Sequence, residues 1–312
     1  MFFSIVMPVY KTETELLKRA ISSVLSQDYT DWELIVVDDN PKGTEWKDAI
    51  KTICGQYIDD RIVLQIHGDN KGANVARNTG VSSSRGKYIA FLDADDEWDS
   101  DYLSSVFQLI REKNPDIAAS GYRLITTDRI YDMIGQSETD GNIYMEMIYR
   151  DLVGPTSAVV VKKSSLLQIG GFDETLPARQ DYDTWLRICK NGGTVAYIRK
   201  AKLSIYRTDR ESISTRGMNH IDGTEMVLSK LLSDPDLKEF YSKIKTSHFL
   251  ESARSAMSLE RYDIARKYIK KAARENVSMK IVFYYIATLC PSGFKRAKKL
   301  YWNIKYKRQI DN

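Results

Sequence analysis

The fold of this chain is decided by the stretch WELIVVDD at residues 32–39, an apolar run that leads directly into two aspartates. Such a run predicts a strand buried on both faces, because strands covered by helices lack a polar side. Comparable runs occur at residues 3–7, 62–66 and 87–92, and helical patterns lie between them at residues 12–26, 43–57 and 71–83. This alternation predicts an α/β fold, Rossmann-like, with a mostly parallel central sheet and helices on both faces.

Two aspartate clusters follow strands of the predicted sheet. Asp38-Asp39 ends the strand at residues 33–37, and Asp93-Ala94-Asp95-Asp96 ends the strand at residues 87–92. Ligands of open α/β sheets bind beyond the carboxyl ends of the strands, so both clusters are expected at one site. Crowded carboxylates repel one another, and Mg²⁺ or Mn²⁺ can neutralise them while bridging to phosphates. The alternative is a polar loop whose aspartates cap a helix at residues 100–111.

Three further residues have a functional and an ordinary interpretation. Arg77, in the predicted helix after NKGAN, either binds a phosphate or base carbonyl or is an exposed arginine of an amphipathic helix. Asp181 begins a helix predicted to end at Gly192-Gly193, and it either caps that helix or acts as a general base. Arg207 follows a predicted strand and either faces a leaving diphosphate or lies in a surface loop.

The cysteines, the histidines and the first residues of the chain argue against a disulfide-bonded, zinc-binding or secreted protein. The three cysteines are scattered without C-x-x-C spacing, and the three histidines show no H-x-x-x-H pair. A disulfide framework and a structural zinc site are therefore not expected, and a reducing compartment fits. The start, MFFSIVMP, lacks the basic region and cleavage site of a signal peptide, so we expect a buried first strand and a cytoplasmic protein.

The second half of the chain has a different organisation. After residue 116 the alternation becomes less regular, with strands predicted at residues 117–126, 157–161, 194–198 and 202–206. From residue 219 the pattern is helical, and residues 244–259 and 262–273 are predicted to form an antiparallel pair. We therefore predict one domain at residues 1–215 and a C-terminal α-helical region at residues 216–312.

The charge is distributed unevenly, which indicates an anionic partner. The net charge is +4, but residues 261–312 carry 14 Lys and Arg against three acids. Residues 281–290 are apolar yet too short to span a bilayer, and aromatic and basic residues alternate after them. This tail predicts a peripheral contact with an anionic membrane, on the inner face of the cytoplasmic membrane. The alternative is a helical subdomain with a solvated basic face; nucleic acid is not an expected partner.

Taken together, the motifs resemble those of glycosyltransferase family 2, whose fold is called GT-A. The matching pieces are SIVMPVY at 4–10, SSVLSQ at 22–27, WELIVVDD at 32–39, ARN at 76–78, DADD at 93–96, GGFD at 170–173 and QD at 180–181. They occur in the family's order and cover roughly residues 1–215. Each motif is modest, but the ordered set is specific.

The resemblance implies a role for each candidate residue. Asp39 reads the base of the donor, and the nucleotide-sugar pocket also includes Pro8, Val9, Tyr10, Arg77, Asp93, Ala94 and Arg207. Asp95 is the direct ligand of Mn²⁺ or Mg²⁺, with Asp93 in the metal shell, and Asp181 deprotonates the acceptor hydroxyl. Many members carry a metal-ligating histidine where this chain has Asp209, so Asp209 is a further candidate ligand.

The implied activity is inverting transfer from a nucleotide-sugar, a UDP-sugar first, of a hexosyl or N-acetylhexosaminyl group. The implied acceptor is a saccharide or lipid-linked saccharide, in surface polysaccharide or glycoconjugate synthesis. A catalytically inactive nucleotide-binding scaffold on the same fold is the alternative, and turnover separates the two. A dinucleotide-dependent oxidoreductase would carry G-x-G-x-x-G after the first strand, where this chain has MPVYK at residues 7–11.

Overall fold

The structure is a computed structural model that describes residues 1–57, 59–127, 130–135, 142–207, 218–290 and 292. It divides into two compact units that interleave along the chain. The first comprises Met1–Ile143, Val153–Glu174 and Thr184–Thr208, and the second comprises Tyr144–Leu152, Thr175–Asp183 and Asp209–Asn312. The domain boundary predicted at residue 215 remains a prediction, because compactness alone does not define an independently folding domain.

Strands and helices alternate through residues 3–113 as the sequence predicts. In chain order the elements are β1 (Phe3–Val9), α1 (Thr14–Leu25), β2 (Trp32–Asp38), α2 (Glu45–Gln56), β3 (Ile62–Ile66), α3 (Ala73–Ser83), β4 (Tyr88–Phe91), β5 (Glu97–Trp98) and α4 (Tyr102–Lys113). Further along lie β6 (Ile117–Thr126), β7 (Ile130–Met133), α5 (Ile143–Met147), β8 (Val159–Lys162), α6 (Lys163–Gln168), α7 (Gln180–Lys190) and β9 (Val195–Arg207).

The first four long strands form the parallel half of one sheet, in the order β3-β2-β1-β4. β1 lies in the middle of this half, with Val9 opposite Asp38 of β2 and Val6 opposite Phe91 of β4. Because parallel strands end at the same edge, the residues that follow β1, β2 and β4 all leave the sheet there. The two aspartate clusters therefore occupy the edge at which ligands of such sheets bind.

Both faces of β1 are buried, which explains its continuous apolar sequence. Ile5 and Met7 belong to the main core together with Leu17 and Ile21 of α1. On the opposite face, α3 approaches closely, because a Cβ at Gly80 would lie 2.4 Å from Cγ1 of Val6. Helices therefore cover the sheet on both faces, as predicted.

A buried acid ties the start of β1 to β2 and to the loop after α3. Glu33 is almost fully buried, and its carboxylate accepts hydrogen bonds from Ser4 Oγ at 2.6 Å and from Arg85 N and Nε at 2.7 and 2.8 Å. These bonds offset the cost of burial and hold the pKa of Glu33 below its usual value. The polar residue within the WELIVVDD run is thus structural.

The later strands add antiparallel pairs to the sheet. β8 pairs antiparallel with β4 and β6, and β7 with β6, whereas β9 runs parallel to β6. The sequence predicts two strands at residues 194–198 and 202–206, but the structure has the single strand β9. That prediction was wrong in detail. Register shifts around Gly121 of β6 let β9 continue through the polar residues 199–200 without a break in the strand.

The second unit is helical in the described part of Asp209–Asn312. Its helices are α8 (Asn219–Leu232), α9 (Tyr241–Ser258), α10 (Tyr262–Glu275) and α11 (Met279–Leu289). α9 and α10 correspond to the predicted helix pair and share one apolar core with α8 and α11. In the portions of the chain that the structure covers, no helix combines the length and apolarity needed to cross a membrane.

Earlier segments of the chain complete the second unit. His248 of α9 bonds through Nε2 to the carbonyl of Ile148 at 3.0 Å, and Lys230 of α8 pairs with the buried Asp183 at 2.7 Å. A Cβ at Gly223 would lie 2.3 Å from the carbonyl oxygen of Ala178, so only glycine permits this approach. These contacts explain why residues 144–152 and 175–183 fold with the C-terminal helices.

Candidate functional site

The loops after β1 and β2 are locked together at the carboxyl edge of the sheet. Asp39 N donates to the carbonyl of Val9 at 2.9 Å, and Asn40 Oδ1 accepts from Lys11 N at 2.9 Å. Lys11 adopts a left-handed backbone conformation, with φ of 48°, which is strained for a residue with a side chain. Pro8 and Val9 are the last two residues of β1, and the side chain of Tyr10, the next residue, is exposed.

Asp39 is almost fully buried, and three protein groups orient its carboxylate. Oδ1 accepts from Lys71 N at 2.8 Å and lies 2.8 Å from His67 Nδ1, and Oδ2 accepts from Gly72 N at 2.9 Å. A carboxylate has about four acceptor positions, so roughly one is left on Oδ2 for a ligand. Gly72 precedes α3 with φ of 94°, which favours glycine there.

His67 is a site residue that the sequence did not reveal. It follows β3, and its second ring nitrogen lies 2.9 Å from Thr79 Oγ1. The imidazole therefore connects the carboxylate of Asp39 to α3 and fixes its orientation. Its position after a strand at the ligand edge was the available signal, but a single histidine there is more often structural.

Arg77 and Asp93 form the central charged pair. Arg77 Nη2 donates to Asp93 Oδ1 at 2.7 Å; Arg77 is buried, while the carboxylate side chain is 37% exposed. Within the residues that the structure describes, Arg77 Nε and Nη1 are buried and have no hydrogen-bond partner. A buried guanidinium with two unpaired nitrogens, which carry three N–H groups, is costly, and the oxygens of a bound anion can accept from them.

The cluster at residues 93–96 divides into a structural and an accessible part. Asp96 is buried and accepts from Ser157 Oγ at 2.6 Å, while Ser157 Oγ accepts from Asp93 N at 3.0 Å. Burial, with Asp95 and Asp93 nearby, raises the pKa of Asp96 well above its usual value. Ala94 is buried as well, so Asp93 and Asp95 are the two carboxylates of this loop that can meet a ligand.

Asp93 and Asp95 suit a hard divalent cation. Desolvation by the surrounding protein, followed by repulsion from Asp93, raises the pKa of Asp95 to about 6 although its side chain reaches the surface. Among the described residues, no three His, Cys, Asp or Glu side chains are grouped to hold a metal ion. Two carboxylates are nevertheless a usual number of protein ligands for Mg²⁺, because its other ligands are phosphate oxygens and water.

Arg19 of α1 contacts the loop at residues 93–96, and it is a second site residue that the sequence did not reveal. Its Nη2 donates to the carbonyl of Asp95 at 2.8 Å, and its guanidinium stacks 3.6 Å from the ring centre of Tyr206. Tyr206 OH in turn donates to Glu97 Oε2 at 2.8 Å. This arginine therefore links the loop that carries Asp95 to the end of β9, which carries Arg207. No local pattern marked it, since it lies within an ordinary amphipathic helix.

The ARN and GGFD motifs meet in the first unit. Asn78 Oδ1 accepts from Phe172 N, and Asn78 Nδ2 donates to the carbonyl of Phe172, both at 2.9 Å. Gly171 has φ of 77°, and a Cβ there would lie 2.6 Å from Asn78 Oδ1. Asn78 is thus structural, whereas its neighbour Arg77 faces Asp93.

Comparison with known proteins identifies the family. The family model described as Glycosyl transferase family 2 matches residues 4–163, about half of the chain. This chain belongs to glycosyltransferase family 2. Its fold is accordingly GT-A, an α/β sheet with helices on both faces, followed by a C-terminal helical region.

Relatives of this glycosyltransferase come from bacteria and archaea. TuaG of Bacillus subtilis, whose name assigns it to teichuronic acid biosynthesis, is 30% identical over 68% of this chain and 81% of its own length. WfgD of Escherichia coli, a UDP-Glc:alpha-D-GlcNAc-diphosphoundecaprenol beta-1,3-glucosyltransferase, is 29% identical over 76% of this chain and 89% of its own length.

Solved structures share the fold of this glycosyltransferase. TarS 1–349 of S. aureus in complex with UDP-GlcNAc has a TM-score of 0.63 at 15% identity, covering 87% of this chain and 82% of that one. The mannosyltransferase PcManGT of Pyrobaculum calidifontis, in complex with GDP-Man and Mn²⁺, has a TM-score of 0.61 at 16% identity, covering 97% and 82%.

Three predicted residues of this glycosyltransferase remain: Arg207, Asp209 and Asp181. Arg207 ends β9 opposite Thr126 of β6. Asp209, the further candidate metal ligand, lies outside the described residues. Asp181 stands in the first turn of α7, in the second unit, where its Oδ1 accepts from Tyr182 N at 2.8 Å. The cluster in the first unit thus comprises Asp39, Arg77, Asp93 and Asp95 with the end of β1.

Proposed function

We propose that this glycosyltransferase transfers a hexosyl or N-acetylhexosaminyl group from a UDP-sugar to an acceptor hydroxyl, with inversion at the anomeric carbon. The observation that carries the proposal is the buried Arg77, which is bonded to Asp93 through Nη2 and has two more buried nitrogens, Nε and Nη1, without partners among the described residues. A nucleoside diphosphate supplies oxygen acceptors for such groups, and a guanidinium pairs well with them.

The nucleotide base is proposed to be uracil. The free acceptor position on Asp39 Oδ2 can take the imide N–H of uracil, while His67 and the backbone at Lys71 and Gly72 hold the carboxylate still. The UDP-Glc in the name of WfgD supports the same choice. Guanine also presents N–H donors, so a GDP-sugar is the main competitor, as bound by PcManGT.

Mn²⁺ or Mg²⁺ is the proposed cofactor, with Asp95 as direct ligand and Asp93 in its shell. When bound, such an ion neutralises the negative charge that develops on the departing nucleoside diphosphate. Arg77 Nη2 holds the carboxylate of Asp93 in place through their 2.7 Å bond, and Arg19 holds the backbone of Asp95. Asp209 stays a candidate ligand by its place in the sequence, and Arg207 a candidate contact of the diphosphate.

Asp181 is proposed as the general base. One of its oxygens accepts from Tyr182 N, which leaves the other oxygen to take the proton of the acceptor hydroxyl. The acceptor oxygen then attacks the anomeric carbon from the side opposite the diphosphate. A single displacement of this kind forms one glycosidic bond, breaks the sugar–phosphate bond and inverts the configuration.

The acceptor is proposed to be a saccharide or a lipid-linked saccharide of a surface polysaccharide or glycoconjugate. The names of TuaG and WfgD support this context, since they refer to teichuronic acid and to a diphosphoundecaprenol-linked sugar. Synthesis on the cytoplasmic side, at the inner face of the membrane, is the matching location for a donor made from cytoplasmic nucleotides.

The test is a donor screen with the full-length protein. UDP-, GDP- and dTDP-sugars are incubated with Mn²⁺ or with EDTA, and release of nucleoside diphosphate is followed with and without saccharide acceptors. We expect UDP-sugars to react fastest, only with Mn²⁺ or Mg²⁺, and the product to show inverted configuration by NMR. Binding of UDP without turnover on any acceptor would instead indicate the nucleotide-binding scaffold.

A matched pair of variants tests the metal. Asp95→Asn should lose roughly 10²–10³-fold in rate because it removes a direct ligand. Asp48→Asn removes the same charge from an exposed position on α2 and should leave the rate unchanged. Wild-type activity of Asp95→Asn in excess EDTA would disprove the metal site.

A further inference from the structure

The second unit exposes an apolar stripe along α11. At about 100° per residue, five exposed apolar side chains lie on one side of this helix: Met279, Val282, Phe283, Ile286 and Leu289. Met279 is 83% exposed, Phe283 56% and Leu289 63%, whereas Ile281 and Ala287 on the opposite side are buried. Scattered exposed apolar residues are ordinary, but a continuous stripe of five marks an interaction surface.

A row of basic side chains accompanies the stripe on α10. Five basic side chains and one acid, Asp263, are grouped on α10: Arg266, Lys267, Lys270, Lys271 and Arg274. Lys267, Lys270 and Arg274 are exposed, while Lys271 is partly neutralised by Glu225 at 3.1 Å. The row therefore presents a strong local excess of positive charge.

The two helices form one body. Arg266 Nη1 donates to the carbonyl of Thr288 near the end of α11, at 3.4 Å. The inner side of α11, at Ile281 and Ala287, shares a core with Ala265 and Ile269 of α10. The stripe and the basic row are consequently held together on adjacent helices.

We propose that this α10–α11 surface docks the protein on a membrane leaflet that contains anionic lipid. α11, with 11 residues, is about 16 Å long, too short to span a bilayer but suited to lie in the plane of the interface. Its apolar stripe enters the boundary between headgroups and acyl chains, and the basic row attracts the anionic headgroups.

The chemistry of the surface favours a membrane over other occupants. A nucleic acid would match the basic row but offers nothing comparable for five exposed aliphatic and aromatic side chains. A second copy packed by two-fold symmetry would bring the two basic rows near each other, which costs free energy. The proposal goes beyond sugar transfer. It rests on the described helices α10 and α11, whereas the sequence predicted the membrane contact at residues 281–290 and the basic and aromatic residues that follow them.

The test is vesicle co-sedimentation of the full-length protein, with vesicles of neutral phosphatidylcholine or with a third of phosphatidylglycerol added. We expect binding only to the anionic vesicles, weakened by salt. Each basic side chain near such a leaflet contributes roughly a fivefold factor, so Lys267→Glu with Lys270→Glu should bind at least about 25-fold more weakly. Phe283→Asp with Ile286→Asp should weaken binding by roughly tenfold or more.

Matched controls lie on the first unit. Lys51→Glu with Lys200→Glu reverses the same charge at exposed positions, and Leu167→Asp places an acid at an exposed apolar position; both should bind like the wild type. Equal binding to neutral vesicles, or unchanged binding by both α10 and α11 variants, would overturn the proposal. So would a wild-type dimer in light scattering that the α11 variant converts to a monomer.

Discussion

Replacing Arg77 with methionine should separate donor binding from stability. The guanidinium is buried, yet Nε and Nη1 have no partner among the described residues, and only Nη2 bonds to Asp93. Methionine is flexible and apolar, so it can fill much of the same space without buried N–H groups. The variant therefore removes the N–H donors that we propose bind the diphosphate, while leaving the surrounding packing largely intact.

The expected magnitudes follow from these contacts. The Asp93 side chain is 37% exposed, so losing its ion pair costs at most about 1 kcal/mol of unfolding free energy. Each unsatisfied buried N–H group costs about 1–3 kcal/mol, so removing those on Nε and Nη1 offsets the loss of the ion pair. We expect the ligand-free variant to be at least as stable as the wild type. A hydrogen bond to a charged group contributes about 1.5–3 kcal/mol, so affinity for UDP should fall roughly 10- to 150-fold.

Calorimetric titration with UDP and urea unfolding measure the two effects in the same samples. The control is Arg85→Met, which removes the 2.8 Å partner of the buried Glu33 in the same unit. Because Arg85 is 64% exposed and Glu33 keeps its bonds to Ser4 Oγ and to the backbone N–H at residue 85, this variant should lower stability by about 1–2 kcal/mol and leave UDP affinity unchanged. If Arg77→Met lost more than about 3 kcal/mol of stability while binding UDP normally, Arg77 would be a structural residue and the reasoning would fail.

Four further substitutions test other parts of the structure. Asp181→Asn should lower kcat by about 10²–10⁴-fold in acceptor assays without changing donor affinity in calorimetry; a parallel loss of both would contradict a general base. Arg19→Met should raise the Mn²⁺ concentration for half-maximal activity roughly 10-fold, because it frees the carbonyl of Asp95, with circular dichroism as the control for folding. Gly171→Ala should cost about 2–3 kcal/mol in urea unfolding, since φ is 77° and the new Cβ collides with a neighbouring amide; a loss below 0.5 kcal/mol would argue against that geometry. Burial lowers the pKa of His248 from 6.5 to about 4, so the unfolded state takes up the proton first and stability falls by up to about 3 kcal/mol as the pH drops from 7 to 4; His248→Gln should remove that part of the pH dependence.

Local sequence was sufficient for the parallel half of the sheet and for placing the candidate aspartates at its carboxyl edge. Apolar runs such as residues 34–37 have no polar side, so only a strand covered on both faces accommodates them. Aspartates placed directly after two such strands must then leave the sheet at one edge. For the same reason Asp39, Asp93 and Asp95 could be selected as candidates before any contact was known.

The antiparallel half of the sheet and the division into two units depended on contacts between distant residues. Ser157 bonds to Asp96, 61 residues away in the sequence, and Gly223 packs against the carbonyl of Ala178, 45 residues away. No local sequence pattern encodes such contacts. The same holds for β9, whose polar middle resembles a turn until pairing with β6 supplies its hydrogen bonds.

Within the motifs, only the tertiary structure decided which residue faces the ligand edge and which holds the fold. Asn78 binds the backbone of Phe172 while Arg77 meets Asp93, although the two are adjacent in one helix. Gln27, in the SSVLSQ motif, accepts from Leu103 N at 2.9 Å and so secures α4. Sequence determines which polar groups must be satisfied, because buried polar groups are costly when unpaired; the partners are set by which distant segments the fold brings within hydrogen-bonding distance.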